Sequence, residues 1–346
     1  MEEPLDPQPT GKEKPRGLRK VVRLFFLLIV QLTITLVLLE IGARIFDPLG
    51  ISYYPETARF FDTMIREEPI SYRLRPGLDG KFHHARYQIN SIGLRGPEAT
   101  VPKPSGESRV LWLGDSLVFG IGANYENTLP AIVERKANEN VAGKSYRVVN
   151  MGVPSYNTEQ ELIQLETTGL SLEPDAIILM FATNDIEKKG WVFDKRESRF
   201  ADFAQRSYAL STLFILSRFA RQSTGTDSQL ISMDNYTPDN PRWLAISDSL
   251  KRINDICKAR SIPFVVFVMG SVEVHPYKMV TAEGGKDGFE VIGLQPELDS
   301  RWPDALSPRY RNSVVDAHCN PAGCDMWATL VYEKLVGLGI ISSTKR

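Results

Sequence analysis

Past residue 108 the chain settles into a repeating pattern. A short, continuous apolar run is followed by a longer segment whose apolar residues return every three or four positions. The runs read RVLWLG (109–114), YRVVNMG (146–152), PDAIILMFATND (174–185), PFVVFVMG (263–270) and GFEVIGL (288–294). Between and after them come NTLPAIVERKANENV (127–141), TEQELIQLETTGL (158–170), PRWLAISDSLKRINDICKARS (241–261) and PAGCDMWATLVYEKLVGLG (321–339). Apolar runs that do not alternate are strands buried on both faces, and strands separated by amphipathic helices make a parallel sheet covered on each side. The pattern predicts a three-layer α/β/α domain with a parallel, flavodoxin-like sheet. Residues 186–240 interrupt it, as an insertion with one amphipathic helix at 208–222. The apolar stripe of that helix is expected to pack as core or lid rather than lie on a membrane.

The first hundred residues follow other rules. Residues 24–39, LFFLLIVQLTITLVLL, hold thirteen large aliphatics or Phe in sixteen positions. At about −0.5 kcal/mol each on insertion scales they favour a bilayer by roughly 6 kcal/mol before polar costs. Val21, Val22 and Ile41–Ala43 extend the stretch, and Arg23 and Glu40 can reach the two interfaces. Lys12, Lys14, Arg16, Arg19, Lys20 and Arg23 precede it, so the positive-inside rule puts the amino terminus in the cytoplasm and the rest of the chain outside. A cleaved signal peptide is the rival reading. The apolar core is longer than such peptides carry, and no A-x-A-like site follows cleanly. The expected organisation is a cytoplasmic tail (1–20), a transmembrane anchor (21–43), an extracytoplasmic lead-in and linker (44–108) and an α/β domain (109–346). Within the lead-in no helical period is sustained over 45–97. ARYQINSIGLRG (85–96) alternates like a strand, and VPKPSGES (101–108) reads as a linker.

Composition narrows the function classes. With 42% hydrophobic and 24% charged residues the chain can bury a large core, and a net charge of −1 supplies no basic field for nucleic acid. Three cysteines, Cys257, Cys319 and Cys324, do not make a disulfide framework. Cys319 and Cys324 are near enough to pair or to remain free thiols. Neither they nor His318 have zinc-ligand spacing, and Gly114, Gly120 and Gly122 do not fit G-x-G-x-x-G, so no metal or dinucleotide is expected. His83 and His84 read as surface residues, and His275 as a loop residue.

In open α/β sheets ligands sit beyond the carboxyl ends of the strands. Three predicted strands end in polar groups: Gly114-Asp115-Ser116, Asn150-Met151-Gly152 and Thr183-Asn184-Asp185. Asp316, His318 and Asn320 precede the last helix. A serine nucleophile needs a base, an orienting group for the base and donors for the oxyanion. Alone, Gly-Asp-Ser is an ordinary turn triplet that chance supplies in roughly one chain in ten. In order with the other blocks it resembles the GDSL, or SGNH, hydrolase family. Its blocks are matched by Gly114-Asp115-Ser116, by Gly152 in NMGVPSYNTEQ, by Ala182-Thr183-Asn184-Asp185 with Ala where the family has Gly, and by DAHCNPAG around His318. The resemblance covers roughly residues 109–338. It implies Ser116 as nucleophile, His318 as base, and an oxyanion hole from Ser116 N–H, Gly152 N–H and the Asn184 amide. The anchor and the INSIGLRG lead-in look like membrane-anchored, extracytoplasmic bacterial members.

One position departs. The family's Asp stands three residues before the His, where this chain has Val315; Asp316 is only two before His318. Asp316 remains the expected orienting acid, with a weakened hydrogen bond, and a backbone carbonyl is the alternative orienter. The activity implied is cofactor-free acyl ester hydrolysis through an acyl-Ser116 intermediate. Its expected substrate is an O-acyl ester, O-acetyl among the candidates, on an envelope glycan or lipid at the inner membrane. The rivals are an O-acyltransferase using the same residues and a non-catalytic glycan-binding module.

Overall fold

The computed structural model describes residues 16–140, 144–194, 199–223 and 235–342. Most of the expected cytoplasmic tail, residues 1–15, lies outside them. Helix α1 (Arg16–Phe46) carries the apolar stretch. Residues 19–46 are long and apolar enough to cross a membrane, and none of the most apolar part is buried against protein. Twenty-eight helical residues span about 42 Å, against a hydrocarbon core of about 30 Å.

The lead-in is more ordered than its pattern foretold. It holds helix α2 (Tyr53–Phe61) and two hairpins, β1 (Ile65–Glu67) with β2 (Ser71–Arg73) and β3 (Asp79–Phe82) with β4 (Ala85–Gln88). Strands this short hold no period long enough to read, and α2 is little more than two turns. Phe60, Tyr72 and Tyr87 from these elements share one buried cluster with Phe119, Ile121, Val153 and Tyr156 of the α/β domain. The lead-in is thus packed directly over the segment that follows the first long strand.

That strand is β5 (Glu107–Gly114), which begins inside the stretch read as linker. After it come α3 (Ser116–Phe119), α4 (Leu129–Asn140), β6 (Ser145–Asn150), α5 (Thr158–Thr167) and β7 (Ala176–Phe181). The insertion contributes α6 (Trp191–Asp194), α7 (Arg199–Arg206) and α8 (Tyr208–Ser223). Then follow α9 (Pro241–Ala259), β8 (Phe264–Val268), α10 (Tyr277–Asp287), β9 (Glu290–Gly293), α11 (Gln295–Arg301) and α12 (Pro321–Gly337). The sheet order is β6-β5-β7-β8-β9, parallel throughout, which is the flavodoxin-like arrangement. All five predicted runs are strands of this one sheet.

Alternate residues divide between two cores because strand side chains have a period of two. Trp112, Ile178, Met180, Val265 and Phe267 face α4 and α12. Leu111, Leu113, Ile177, Leu179, Val266 and Val268 face α5 and α9. Helix starts carry their own signals: Asn157 and Gln160 cap α5 reciprocally, and Asn240-Pro241 and Asn320-Pro321 open α9 and α12. Cys319 and Cys324 form a disulfide at the entry to α12, and Cys257 is a buried free thiol.

Candidate active site

Strand β5 delivers Gly114, Asp115 and Ser116 to the carboxyl edge of the sheet. The exit is tight: a Cβ on Gly114 would fall 2.3 Å from Val118 Cγ2. The buried Asp115 side chain accepts from the Leu117 N–H at 2.9 Å and so caps α3, with Ser116 as its first residue. Gly120 ends this one-turn helix at φ +81°, a left-handed conformation that favours glycine.

His318 arrives from the loop before α12, and its Nε2 lies 2.8 Å from Ser116 Oγ. Its Nδ1 lies 2.6 Å from Asp316 Oδ1. The short spacing between Asp316 and His318 therefore does not lengthen the bond. The loop absorbs the missing residue by folding on itself: Asp316 N–H donates to Ser313 Oγ at 3.0 Å, and His318 N–H donates to Asp316 Oδ1 at 3.1 Å. The other carboxylate oxygen accepts from Asn312 Nδ2 at 3.0 Å, which also donates to Ile121 O at 2.8 Å. This ties the loop to the segment after α3.

The charges of this pair reinforce each other. Burial alone would raise the Asp316 carboxyl, but the hydrogen bond and charge of His318 outweigh it and hold it below the usual range. Burial likewise lowers the His318 imidazole, yet Asp316, with Asp115 behind it, raises it above its ordinary value.

The expected oxyanion donors are gathered here with different engagements. Gly152 packs against α3, where a Cβ would stand 2.1 Å from Phe119 N, so glycine is required by close approach. Its N–H donates to Asn150 Oδ1 at 3.0 Å, and Asn150 Nδ2 donates to Val118 O at 2.8 Å. Asn184 lies in a single 3₁₀ turn after β7, with its side chain close enough to the Asp115 carboxylate to favour the charged form, against the larger effect of burial. Asp115 therefore caps the start of α3 and lies beside Asn184.

Sequence reasoning missed what lies beneath. Glu161 on α5 is fully buried, and neither of its carboxyl oxygens has a partner. Asp185, 1% exposed, accepts from Thr158 Oγ1 at 2.6 Å. Burial first pushes both carboxyls well above the ordinary range; the charges of Asp185 and Asp115 add to it at Glu161, and that of Asp115 at Asp185. The only sequence signal was Glu161 falling four residues before the core Leu165.

His83, expected at the surface, is 6% exposed; its Nε2 is 2.9 Å from Thr57 Oγ1 and its Nδ1 2.9 Å from Tyr87 OH. Burial, above all, pushes its pKa down to about 3. His84 is exposed and touches Ser52 and Asp47. His275 is exposed in its loop, near the Tyr236 ring. Tyr53 of α2 sets its ring 6.1 Å from that of His318. A cleft of about 280 Å³ opens beside the pair, lined by Leu117, Met269, Tyr277, Leu306, Tyr310 and Trp327 among others. Among the described residues no group of three or more His, Cys, Asp or Glu is arranged to hold a metal ion.

A hydroxyl, an imidazole and a carboxylate in hydrogen-bonded series at the carboxyl edge of a parallel sheet are the geometry of the α/β serine hydrolases. The chain belongs to the GDSL-like lipase/acylhydrolase family, whose model matches residues 112–323, and it is a serine-type ester hydrolase. A search of curated proteins finds no significant match. Among solved structures it is similar to an acetyl-xylooligosaccharide esterase from Geobacillus (14% identity, TM-score 0.43, covering 69% of this chain and 97% of that one). It is also similar to a lipase/acylhydrolase from Enterococcus faecalis (15%, 0.40, 67% and 96%) and a GDSL-like lipase from Bacteroides thetaiotaomicron (13%, 0.39, 69% and 93%). Likeness at this level says nothing of substrate.

Proposed function

We propose that this protein cleaves an O-acyl ester of an envelope glycan or lipid at the outer face of the inner membrane, with Ser116 as nucleophile. The reading is carried by the continuous series Ser116 Oγ, His318 and Asp316, at 2.8 and 2.6 Å. Ser116 Oγ attacks the acyl carbonyl as His318 Nε2 takes its proton, and Asp316 stabilises the imidazolium. The tetrahedral intermediate expels the alcohol, which receives that proton, leaving acyl-Ser116. Water, deprotonated by His318, attacks the acyl carbon; the bond to Ser116 Oγ then breaks, Oγ takes the proton back from His318, and the acid is released. Ser116 N–H and the Asn184 amide are the candidate donors for the oxyanion. Gly152 N–H joins them only by sharing or giving up its bond to Asn150. The apolar cleft beside Leu117 accommodates the acyl or alcohol part. Nothing in this scheme requires a cofactor.

The test is fluorophosphonate labelling of the full-length protein in detergent, with release of p-nitrophenol from a short-chain ester. Ser116→Ala is expected to lose both while its melting temperature stays unchanged. Undiminished labelling in Ser116→Ala would overturn the nucleophile assignment, and an unlabelled, well-folded wild type would favour the glycan-binding module. Faster acyl transfer to an added glycan than to water would replace hydrolysis by O-acyl transfer with the same residues.

A further inference from the structure

Helix α8 is docked on the anchor by a charged side chain. Glu40, in the last turns of α1, accepts from Ser207 Oγ at 2.8 Å, Tyr208 N–H at 3.2 Å and Ala209 N–H at 2.9 Å. Its carboxylate thus caps the start of α8, where the helix dipole favours a negative group. Arg44, one turn on, pairs with Glu40 at 2.8 Å and sets its guanidinium 5.0 Å from the Tyr208 ring centre. From this corner α8 runs towards α2, where Phe214 meets the Tyr54 ring edge-on at 6.5 Å. The start of α8 is therefore fixed beside the anchor's exit, and its middle beside the first helix outside.

The two sides of α8 differ. Ser211 and Ile215 are buried. Leu213, Phe214 and Leu216, on the opposite arc, are 53%, 54% and 51% exposed. At the end of α1, Ile45 and Phe46 are 70% and 81% exposed. A half-exposed apolar arc fixed to the last turns of a membrane-length helix calls for the surface that helix enters.

We propose that the Leu213–Phe214–Leu216 face of α8 lies in the outer headgroup and upper acyl region of the bilayer, as a second footing beside α1. It revises the expectation that this stripe packs as core or lid. It rests on α1 spanning a membrane, not on the catalytic reading. An interfacial helix buries its apolar face about 5–10 Å into the headgroup–acyl boundary, and Arg44 and Tyr208 suit the water-facing edge. The footing also fixes the catalytic loop near the lipid, because Val315 N–H donates to Leu49 O at 3.3 Å, three residues beyond the end of α1.

The test uses the full chain in phosphatidylethanolamine/phosphatidylglycerol vesicles. Spin labels are placed singly by Leu213→Cys, Phe214→Cys and Leu216→Cys, with Ile29→Cys inside α1 and Leu338→Cys at the end of α12 as references. Relaxation by oxygen relative to a water-soluble nickel chelate should be several-fold higher at all three α8 positions than at Leu338→Cys, approaching that at Ile29→Cys. Values at all three equal to Leu338→Cys would overturn the proposal. A second measurement needs no substitution: wild-type protein in vesicles carrying a phosphatidylcholine with an acyl-chain diazirine should be photolabelled in residues 208–217 as well as in α1. Labelling confined to α1 would overturn it.

Discussion

Asp316 earns its place through a loop, since the two-residue interval to His318 is closed by the Asp316 N–H bond to Ser313 Oγ and the Asn312 amide bond to the Asp316 carboxylate. With Asp316 Oδ1 2.6 Å from His318 Nδ1, Asp316→Asn should lower turnover by on the order of 10²–10⁴, in the same range as His318→Ala. His318 must be neutral to accept the Ser116 proton, and its pKa is raised above 6.5 chiefly through Asp316, against the effect of burial. Hydrolysis should therefore rise with pH through a midpoint above 6.5, and that midpoint should fall in Asp316→Asn; an unmoved midpoint would break the link between the two residues. Glu161 makes a different prediction. Its folded-state pKa stands well above the ordinary 4.5, mainly through burial, so above pH 4.5 the unfolded chain releases a proton that the folded chain keeps. Stability is then fullest below 4.5 and lost as pH rises towards the folded value. Glu161→Gln should flatten that loss, giving a higher melting temperature than wild type at pH 8 and little difference at pH 4.

Elements meet most closely where β6 exits past α3. Gly152 passes so near the Phe119 N that any Cβ would have to displace backbone, and Asn150 ties the same two segments through Val118 O. Gly152→Ala should cost about 1–3 kcal/mol, as overpacking does, seen in chemical denaturation of the full chain. It should also depress turnover, because α3 carries Ser116; a variant with wild-type stability would show that the two elements slide apart freely. Five strands and the main helices were legible in the sequence because a buried parallel strand must be apolar throughout and its covering helices amphipathic. The lead-in was not: α2, β1–β4 and the burial of His83 arise from contacts with Phe119 and Thr57, and partners distant in sequence leave no local period.

On the scale of the molecule, the membrane-length helix, the lead-in and the His318 loop form one connected path: α1 ends at Phe46, Leu49 bonds Val315, and the Tyr53 ring lies 6.1 Å from that of His318. The basic residues at and before the start of α1 lead the positive-inside rule to expect that path on the outer side. A phosphatase reporter active only outside the cytoplasm, fused after Arg346, should be active; a silent one, with a cytoplasmic reporter active there instead, would reverse the orientation. The sequence by itself determined the parallel sheet and the membrane-length helix and singled out Ser116, Asn184, Asp316 and His318 as candidate site residues, since periodicity and strand-end chemistry are written locally. Tertiary structure alone decided that Cys319 pairs with Cys324, that Asp316 reaches His318 across a shortened interval, and that Gly152 N–H faces Asn150. It alone brought Glu161 and Asp185 together and left the outer face of α8 bare beside the anchor. Each of these depends on distances between segments far apart in the chain, or on how a loop closes, and only packing fixes such distances.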